Sequence, residues 1–194
     1  MGVRRIIGIV GPPGCGKSTI AQRMVGEHPG THVAVPMDGF HLAQRELRRL
    51  GRHERKGAPD TFDVDGYVSL LARLRDAADR TVYAPVFDRN IEEPIANAIA
   101  VEPHHTTVVT EGNYLLHTMG GWEAVRPLLD ACWYVECDER LRIERLLARH
   151  VAHGRSPEEA QAWVRRVDGP NADLVRSRAH VADLVVRSDG PTPS

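Results

Sequence analysis

Short apolar runs recur along the chain and predict buried strands. The first run, Ile6–Val10, is rich in β-branched residues and carries no charge. A continuous apolar run of this length is typical of a strand that is covered on both faces of a parallel sheet. Four later runs are similar in length and character: His32–Pro36, Thr106–Thr110, Ala131–Val135 and Ala182–Val186. The pattern predicts a strand in each of them.

Between these runs, apolar residues recur at helical spacing. A helix is predicted at Ser18–Glu27, directly after the first strand. Two later apolar stripes have a period close to that of an α-helix: Val64, Val68, Leu71, Leu74 and Ala78, then Ile143, Leu146, Leu147 and His150. Ser156, followed by Pro157 and two glutamates, is typical of a helix start. Strands that alternate with helices indicate an α/β fold with a mainly parallel, doubly wound sheet.

One stretch does not alternate, and it predicts a small antiparallel β-hairpin. Its strands are expected at Thr81–Pro85 and Ala98–Val101, with the polar segment Asp88–Pro94 at the tip. A length of 194 residues favours one domain. We expect that domain to cover residues 1–188, and we expect 189–194, rich in Pro and Ser, to be a flexible tail.

Composition and charge exclude several classes of partner. Apolar residues make up 42% and charged residues 26%, which is ordinary for a globular protein. Lys and Arg number 25 against 26 Asp and Glu, so the net charge is −1. A chain this close to neutral has no broad attraction to nucleic acid or to an anionic membrane. Since no apolar run reaches about 18 residues, we also predict no membrane-spanning helix.

The cysteines and the N-terminus favour a cytoplasmic location. Cys15, Cys132 and Cys137 are scattered and have neither zinc-site nor disulfide-framework spacing. The apolar stretch before Gly11 is too short for a secretion signal. A homodimer is compatible with the sequence, although no feature of the sequence determines the oligomeric state.

A phosphate-binding motif joins the first strand to the first helix. Residues 11–18, GPPGCGKS, match G-x-x-x-x-G-K-[ST], the P-loop pattern, in the strand-to-helix context that this motif requires. Its glycines let backbone N–H groups surround phosphate oxygens. We expect Lys17 to reach the β- and γ-phosphates of ATP and Ser18 to ligate Mg²⁺. The predicted nucleotide contacts are Gly11, Pro12, Pro13, Gly14, Cys15, Gly16, Lys17, Ser18 and Thr19.

Two carboxylates follow the ends of other predicted strands. Asp38 follows the second strand and Glu111 the third, and a glycine comes directly after each. Ligands of open α/β sheets bind outside the carboxyl ends of the strands, where Ser18 is also expected. Asp38 is predicted to orient or deprotonate an acceptor hydroxyl, and Glu111 to hold Mg²⁺ directly or through water. The alternatives are that Asp38 caps a helix and that Glu111 pairs with an arginine.

An arginine-rich helix follows the fourth strand. Arg142, Arg145 and Arg149 have the spacing of one helix face, and the apolar residues Ile143, Leu146 and Leu147 have the spacing of another. We interpret residues 138–156 as a helical lid, with Arg145 and Arg149 stabilising charge on the transferred phosphate. The alternative is a solvated helix face on which arginines pair with Glu139 and Glu144.

Several loop residues are candidates for binding a phosphate acceptor. They lie in loops after the predicted strands or at the hairpin, where specificity usually resides. The predicted acceptor contacts are Asp38, His41, Arg55, Lys56, Asp60, Phe87, Arg89, Asn113 and Tyr114.

These motifs, in this order, resemble a known group of kinases. The P-loop, Met37–Phe40 (MDGF), Lys56–Asp63 (KGAPDTFD), Ala84–Phe87 (APVF) and Glu111-Gly112 are similar to motifs of the uridine kinase, type I pantothenate kinase and phosphoribulokinase group. The match runs from Ile6 to about Val186. Five later segments resemble a bacterial nucleoside/nucleotide kinase-like subgroup that includes proteins named fructose transport kinases: Arg145-Leu146, Arg149-His150, Gly154-Arg155, Asp168 and Asn171-Ala172.

The resemblance implies a five-stranded parallel sheet, ATP with Mg²⁺, and transfer to a hydroxyl group. It assigns the acceptor-activating aspartate to Asp38, the magnesium-side glutamate to Glu111 and the lid arginines to Arg145 and Arg149. It does not identify the acceptor, because the chain lacks much of the pantothenate pocket segment. It also has Phe87-Asp88-Arg89 where uridine kinases have Tyr-Asp-Phe.

The leading hypothesis is therefore an ATP-dependent small-molecule kinase that acts on a nucleoside, a sugar or a pantothenate-like metabolite. A second hypothesis is a P-loop ATPase or nucleotide switch that acts on a protein partner. A nucleoside monophosphate kinase is a third, supported only by the basic residues Arg48, Arg49, Arg52, Arg55 and Lys56.

Overall fold

The computed structural model describes residues 3–188, and its framework is a parallel β-sheet. The chain forms seven strands over these residues: β1 (Arg5–Val10), β2 (His32–Pro36), β3 (Val82–Asp88), β4 (Glu93–Val101), β5 (Thr107–Gly112), β6 (Ala131–Glu136) and β7 (Leu184–Arg187). Five of them pair in parallel in the order β2-β5-β1-β6-β7, and β3 pairs with β4 as a separate antiparallel hairpin. The predicted α/β fold is confirmed.

The predicted strands are present, with shifts at their ends. β2 has the predicted bounds, whereas β5 continues two residues beyond the predicted end and therefore includes Glu111. β7 begins at Leu184 rather than at Ala182. The extension of β5 matters most, because it places Glu111 in the sheet, buried between β1 and β2.

Six α-helices accompany the sheet: α1 (Lys17–Glu27), α2 (Gln44–Arg49), α3 (Val64–Asp76), α4 (Glu139–Ala152), α5 (Pro157–Trp163) and α6 (Gly169–Arg176). The predicted start of α5 is confirmed, since Ser156 and Glu159 form a reciprocal capping box. A turn of π-helix, Val164–Asp168, connects α5 to α6.

The core lies on both faces of the sheet. On β1, Ile6 and Val10 pack into the layer that contains α3, and Ile7 and Ile9 pack into the layer that contains α1. All four side chains are buried, as expected for a central strand with helices on both faces. Because side chains of β1 are packed on both faces of the sheet, the strand is held in place. The loop that follows Val10 therefore begins at a well-defined position.

The hairpin is longer than predicted. Its strands reach Asp88 and begin again at Glu93, so the turn is only residues 89–92. The pairing shifts register beside Pro85, which has no N–H to donate, and on β4 Asn97 takes the left-handed conformation, with φ 57°. The longer strands include Asp88, Glu93 and Pro94, which the sequence pattern placed in a loop.

Arg4 fastens the N-terminus of the sheet to α3 and to the hairpin. Its side chain is only 2% exposed, yet it has no carboxylate partner among residues 3–188. Instead its guanidinium donates hydrogen bonds to backbone carbonyls of Leu74, Ala77, Arg80, Val101, Glu102 and His105. The buried guanidinium thus donates hydrogen bonds to backbone carbonyls at the end of a helix and at the end of a strand. These carbonyls would otherwise lack donors.

Three further predictions concern membrane-spanning helices, the C-terminal tail and the extent of the domain. Within residues 3–188, no helix has both the length and the apolar character needed to cross a bilayer. The predicted tail, 189–194, lies outside the described residues. The single domain over 1–188 stays a prediction.

Replacing Arg4 with Met is expected to lower the free energy of unfolding by about 3 kcal/mol or more, because several buried carbonyls lose their donor. Urea titration followed by circular dichroism measures the change. The matched control is Arg5→Met, which alters the next residue, an exposed one, and should cost much less. Equal losses in the two variants would contradict the anchoring role of Arg4.

Candidate active site

The P-loop folds into a tight cradle at the end of β1. Gly14 and Gly16 adopt φ values of 83° and 94°, a left-handed conformation that favours glycine. Gly16 caps α1 without any side-chain hydrogen bond, so the first N–H groups of that helix have no side-chain acceptor. The Lys17 ammonium donates to the carbonyl of Pro12 over 3.1 Å. This arrangement presents backbone donors and one cation to an anion.

Helix α4 is fixed against this loop. The Arg142 guanidinium donates to the Pro13 carbonyl over 3.1 Å. It also donates two hydrogen bonds to the Glu139 carboxylate. A Cβ on Gly14 would lie 2.9 Å from the Arg142 carbonyl oxygen and 2.8 Å from Leu146. Close backbone packing therefore joins α4 to the P-loop.

The predicted arginine face of α4 is wrong in one respect. Arg142 is 2% exposed and shares the buried face of the helix with Leu146, rather than a phosphate-facing side with Arg145 and Arg149. Its pairing with Glu139 neutralises its charge, which explains how an arginine occupies that face.

Ser18 and Glu111 meet at the mouth of the cradle. The Ser18 hydroxyl donates to Glu111 Oε1 over 2.7 Å. Burial of the Glu111 carboxyl, together with the negative charge of Asp38, raises its pKa above the ordinary value. Hydroxyl and carboxylate oxygens are the ligands that Mg²⁺ prefers, and a divalent cation would offset the repulsion between the two carboxylates. The residues present therefore fit Mg²⁺.

Asp38 lies on a short 3₁₀ turn, Met37–Phe40, that begins where β2 ends. Two glycines permit this turn to approach its neighbours. A Cβ on Gly39 would lie 2.6 Å from the Pro85 carbonyl oxygen in the hairpin, and one on Gly112 would lie 2.6 Å from the Met37 side chain. The glycine after each carboxylate is thus a packing requirement that brings β2, β5 and the hairpin together.

The charge of Asp38 is stabilised by its surroundings. Its carboxylate pairs with Arg89 at 2.9 Å. Burial alone would raise the pKa of Asp38, but neighbouring cations, among them Arg89 and Lys17, outweigh burial and lower that pKa. Asp38 is therefore ionised at neutral pH and is able to accept a hydrogen bond from a hydroxyl group.

A cavity of about 310 Å³ joins these groups. It brings together most of the residues that the sequence proposed: Pro13, Gly14, Gly16, Lys17, Ser18, Thr19, Asp38, His41, Lys56, Phe87, Arg89, Glu111, Asn113, Arg145 and Arg149. One continuous space therefore contains the P-loop, both carboxylates and the proposed acceptor loops.

Other predicted contacts lie outside this cavity. Arg55 and Asp60 are not among its lining residues; they form an exposed ion pair with each other. Tyr114 is buried beneath the site, where its hydroxyl donates to the Gly57 carbonyl. In the P-loop itself, Gly11, Pro12 and Cys15 do not line the cavity, and the Cys15 side chain packs in the core below it.

His41 forms one wall of the cavity near Asp38. Its Nδ1 donates to the Asp38 carbonyl oxygen over 2.8 Å, because a carbonyl can only accept. Burial lowers the pKa of His41, so the ring is neutral and Nε2 is left as an acceptor. The ring packs against Phe62 and Phe87, with centroids 4.1 and 4.7 Å away. This wall combines an apolar surface with one acceptor atom.

A second polar network lines the cavity and was not predicted as a site. His150 Nδ1 accepts from Arg155 over 2.7 Å, so Nε2 carries the proton and donates to Asp168 over 2.8 Å. The Arg155 guanidinium also stacks 4.0 Å from the ring centre of Trp163. Nearby, Asn171 donates to the Gly57 carbonyl and holds the Lys56–Gly57 loop. Only the position of His150 on the apolar stripe of α4 hinted at its burial.

Arg145 and Arg149 extend from α4 toward the P-loop side. Arg145 is exposed, with Nη1 3.7 Å from the position of a Cβ on Gly16. Burial, followed by the charge of Arg89, lowers the pKa of Arg149. Among residues 3–188, no carboxylate forms an ion pair with either guanidinium. Two cations therefore border the cradle without protein anions of their own.

Comparisons with known proteins agree with this site. The chain matches the model of the phosphoribulokinase / uridine kinase family over residues 6–192. A Schizosaccharomyces pombe protein provisionally named as a uridine kinase is 34% identical, over 95% of this chain and 83% of its own. An Aspergillus versicolor protein named as ATP-dependent kinase-like is 36% identical, over 77% of this chain and 92% of its own.

A solved structure has the same architecture. The crystal structure of a Silicibacter sp. TM1040 protein, provisionally named as a fructose transport system kinase, is 34% identical, with a TM-score of 0.87. The similarity covers 96% of this chain and 91% of that one. The chain therefore belongs to the phosphoribulokinase / uridine kinase family of P-loop kinases, the group that its motifs predicted.

Proposed function

We propose that the protein transfers the γ-phosphate of ATP to a hydroxyl group of a small metabolite. The observation that carries the proposal is that Asp38 lines the same cavity as Lys17 and the Ser18–Glu111 pair. A site that only hydrolysed ATP would not need a second carboxylate beside the acceptor loops. Uridine and fructose, which appear in the names of relatives, are candidate acceptors.

The phosphate end of the cavity is assigned to the nucleotide. The P-loop amides and the start of α1 would surround the β-phosphate, and Lys17 would exchange its Pro12 carbonyl for phosphate oxygens. Ser18 and Glu111 would hold Mg²⁺, which supplies charge neutralisation at the phosphates when bound. Arg145 and Arg149 would stabilise charge on the transferred group.

Asp38 is assigned to the acceptor hydroxyl. Its lowered pKa makes it a weak base, so its main role is to accept the hydroxyl hydrogen bond and align the oxygen with the γ-phosphorus. As the bond from the acceptor oxygen to the γ-phosphorus forms, the bond from that phosphorus to the β–γ bridging oxygen breaks, ADP leaves, and the hydroxyl proton passes to the carboxylate. The pairing of Asp38 with Arg89 fixes one carboxylate oxygen and leaves the other for the substrate.

The walls around Asp38 favour a small acceptor. His41, Phe62 and Phe87 enclose one side, and the Lys56–Gly57 loop closes another. Of the basic residues that suggested a nucleoside monophosphate kinase, only Lys56 lines the cavity; Arg49 pairs with Glu46 on α2 and Arg52 with Asp60.

Asp38→Asn is expected to lower kcat about 10²- to 10⁴-fold while ATP affinity is retained, because the amide no longer accepts the hydroxyl proton. ADP release is measured during a screen of hydroxyl-bearing metabolites that includes uridine and fructose. Asp60→Asn is the matched control, since Asp60 lies outside the cavity. ADP release that no metabolite stimulates, together with a stable protein complex, would instead support the nucleotide-switch hypothesis.

Lys17→Ala is expected to weaken ATP binding by more than about 10-fold, because a charge-assisted contact to phosphate is lost. Isothermal titration calorimetry with a non-hydrolysable ATP analogue and Mg²⁺ measures this change. Asp38→Asn serves as the reference variant that keeps the nucleotide contacts. Unchanged affinity in Lys17→Ala would refute the assignment of the cradle.

Arg149→Met is expected to lower kcat about 10²-fold without lowering Tm. The guanidinium has no ion-pair partner among the described residues, so its removal breaks no pair and relieves the cost of a half-buried charge. Arg140→Met on the same helix is the control, because Arg140 is exposed and paired with Glu144. A large fall in Tm, or full activity, in Arg149→Met would contradict this role.

A further inference from the structure

The cavity as a whole holds more positive charge than its carboxylates balance. Six cationic side chains line the whole cavity against four carboxylates. Lys17, Arg145 and Arg149 are assigned to the nucleotide, and Arg89 is paired with Asp38. Lys56 and Arg155 remain, together with the carboxylates of Glu92 and Asp168, and neither cation has a role in the transfer step described above.

Lys56 is a nearly buried ammonium group with a weak counter-ion. Its side chain is 11% exposed, and it donates to the Glu92 carbonyl oxygen over 2.6 Å. The Glu92 carboxylate is 3.5 Å away and 43% exposed, so it is strongly hydrated. The ring of Phe87 lies 4.7 Å from Nζ. Burial lowers the pKa of Lys56, the direction expected for a cation that lacks full compensation.

Arg155 has no carboxylate partner at all among residues 3–188. One guanidinium nitrogen donates to the neutral ring of His150, and the group stacks on Trp163. These contacts fix its plane without neutralising its charge. Its remaining N–H groups have no hydrogen-bond partner among the described residues.

Lys56 and Arg155 line the same cavity on connected walls. Asn171 holds the Lys56–Gly57 loop, and Asp168, three residues earlier, binds His150, which accepts from Arg155. Asp38 and His41 line the same cavity. Two like charges held together in a half-enclosed space are stabilised by an anion between them.

We infer that the acceptor is an anionic hydroxyl compound, a hydroxy acid or a phosphorylated sugar, whose carboxylate or phosphate binds between Lys56 and Arg155 while its hydroxyl meets Asp38. This inference rests on the proposed kinase function and narrows it. Carboxylate and phosphate share the chemistry that a guanidinium and an ammonium recognise. A neutral nucleoside or sugar would leave Lys56 with only the exposed Glu92 carboxylate and would give the remaining N–H groups of Arg155 no anionic acceptor.

The test compares matched acceptors in an ADP-release assay with ATP and Mg²⁺: D-glycerate with glycerol, D-gluconate with D-glucose, and D-fructose 6-phosphate with D-fructose. We expect turnover only with anionic members, and the pairs distinguish carboxylate from phosphate. In Lys56→Gln and Arg155→Gln, the KM for that acceptor should rise about 10- to 100-fold, with the KM for ATP unchanged. Neutral members used as well as anionic ones, or an unchanged acceptor KM in both variants, would overturn the inference.

Arg166→Gln is the matched control. Arg166 lies 5.7 Å from the same Trp163 ring but outside the cavity, where it pairs with Glu54. Its replacement should leave both KM values unchanged. An equal rise in the acceptor KM in Arg166→Gln would show that Trp163 packing, rather than the charge of Arg155, is responsible, and would also overturn the inference.

If no panel member is phosphorylated, the subsite is tested without turnover. Inorganic phosphate is titrated calorimetrically into the complex with Mg²⁺ and a non-hydrolysable ATP analogue, which fills the P-loop. Binding by the natural protein that weakens at least about 10-fold in Lys56→Gln and Arg155→Gln supports the inference. Absent or variant-independent binding refutes it. Failure of the kinase proposal is distinct, because ADP release would then be absent with every metabolite while this phosphate binding persists.

Discussion

The register of the parallel strands is the constraint on which the site depends. Glu111 lies opposite Ile9 on one side and Pro36 on the other, and Gly112 lies opposite Val10. The P-loop therefore starts level with the end of β5, and Asp38 follows two residues beyond the point where β2 pairs with Glu111. A shift of one residue in either pairing would turn Glu111 to the other face of the sheet. The buried apolar side chains of β1, which occupy both faces, hold this register.

Charge in the free protein is balanced globally and unbalanced locally. The net charge of −1 conceals a cavity where cations exceed carboxylates. Two buried arginines elsewhere have fixed partners: Arg142 pairs with Glu139, and Arg4 donates to backbone carbonyls. In the cavity, Arg149 and Arg155 have no carboxylate ion-pair partner among residues 3–188, so a bound anion would offset the cost of desolvating them. The burial of these cations lowers the stability of the free protein, and it prepares this one site to bind an anion.

The features that could be predicted from the sequence are those that depend on residues close together in the chain. Apolar runs located the sheet strands, and the P-loop motif located Lys17 and Ser18 because its glycines must sit between a strand and a helix. Pairings between distant or equally charged residues were not predictable. Nothing local shows that Arg55 prefers Asp60 to a ligand, or that Asp168 meets His150 across 18 positions. Helical spacing alone misplaces Arg142, because it does not reveal that Glu139 pairs with this arginine and allows it to be buried.

Those same pairings restrict how the predicted lid can move. The first turns of α4 are joined to the P-loop by the Arg142–Pro13 hydrogen bond and by the contact of Gly14 with Leu146. Arg142 also depends on Glu139, which Arg176 of α6 contacts in turn. Closure of α4 as a rigid body would break these contacts together. The turn after α4 is different, because Gly154 takes φ 93° and carries no packing contact at its Cβ position. Since Arg155 comes directly after this glycine, motion of the segment between α4 and α5 would move an acceptor-side cation while the phosphate cradle stayed intact.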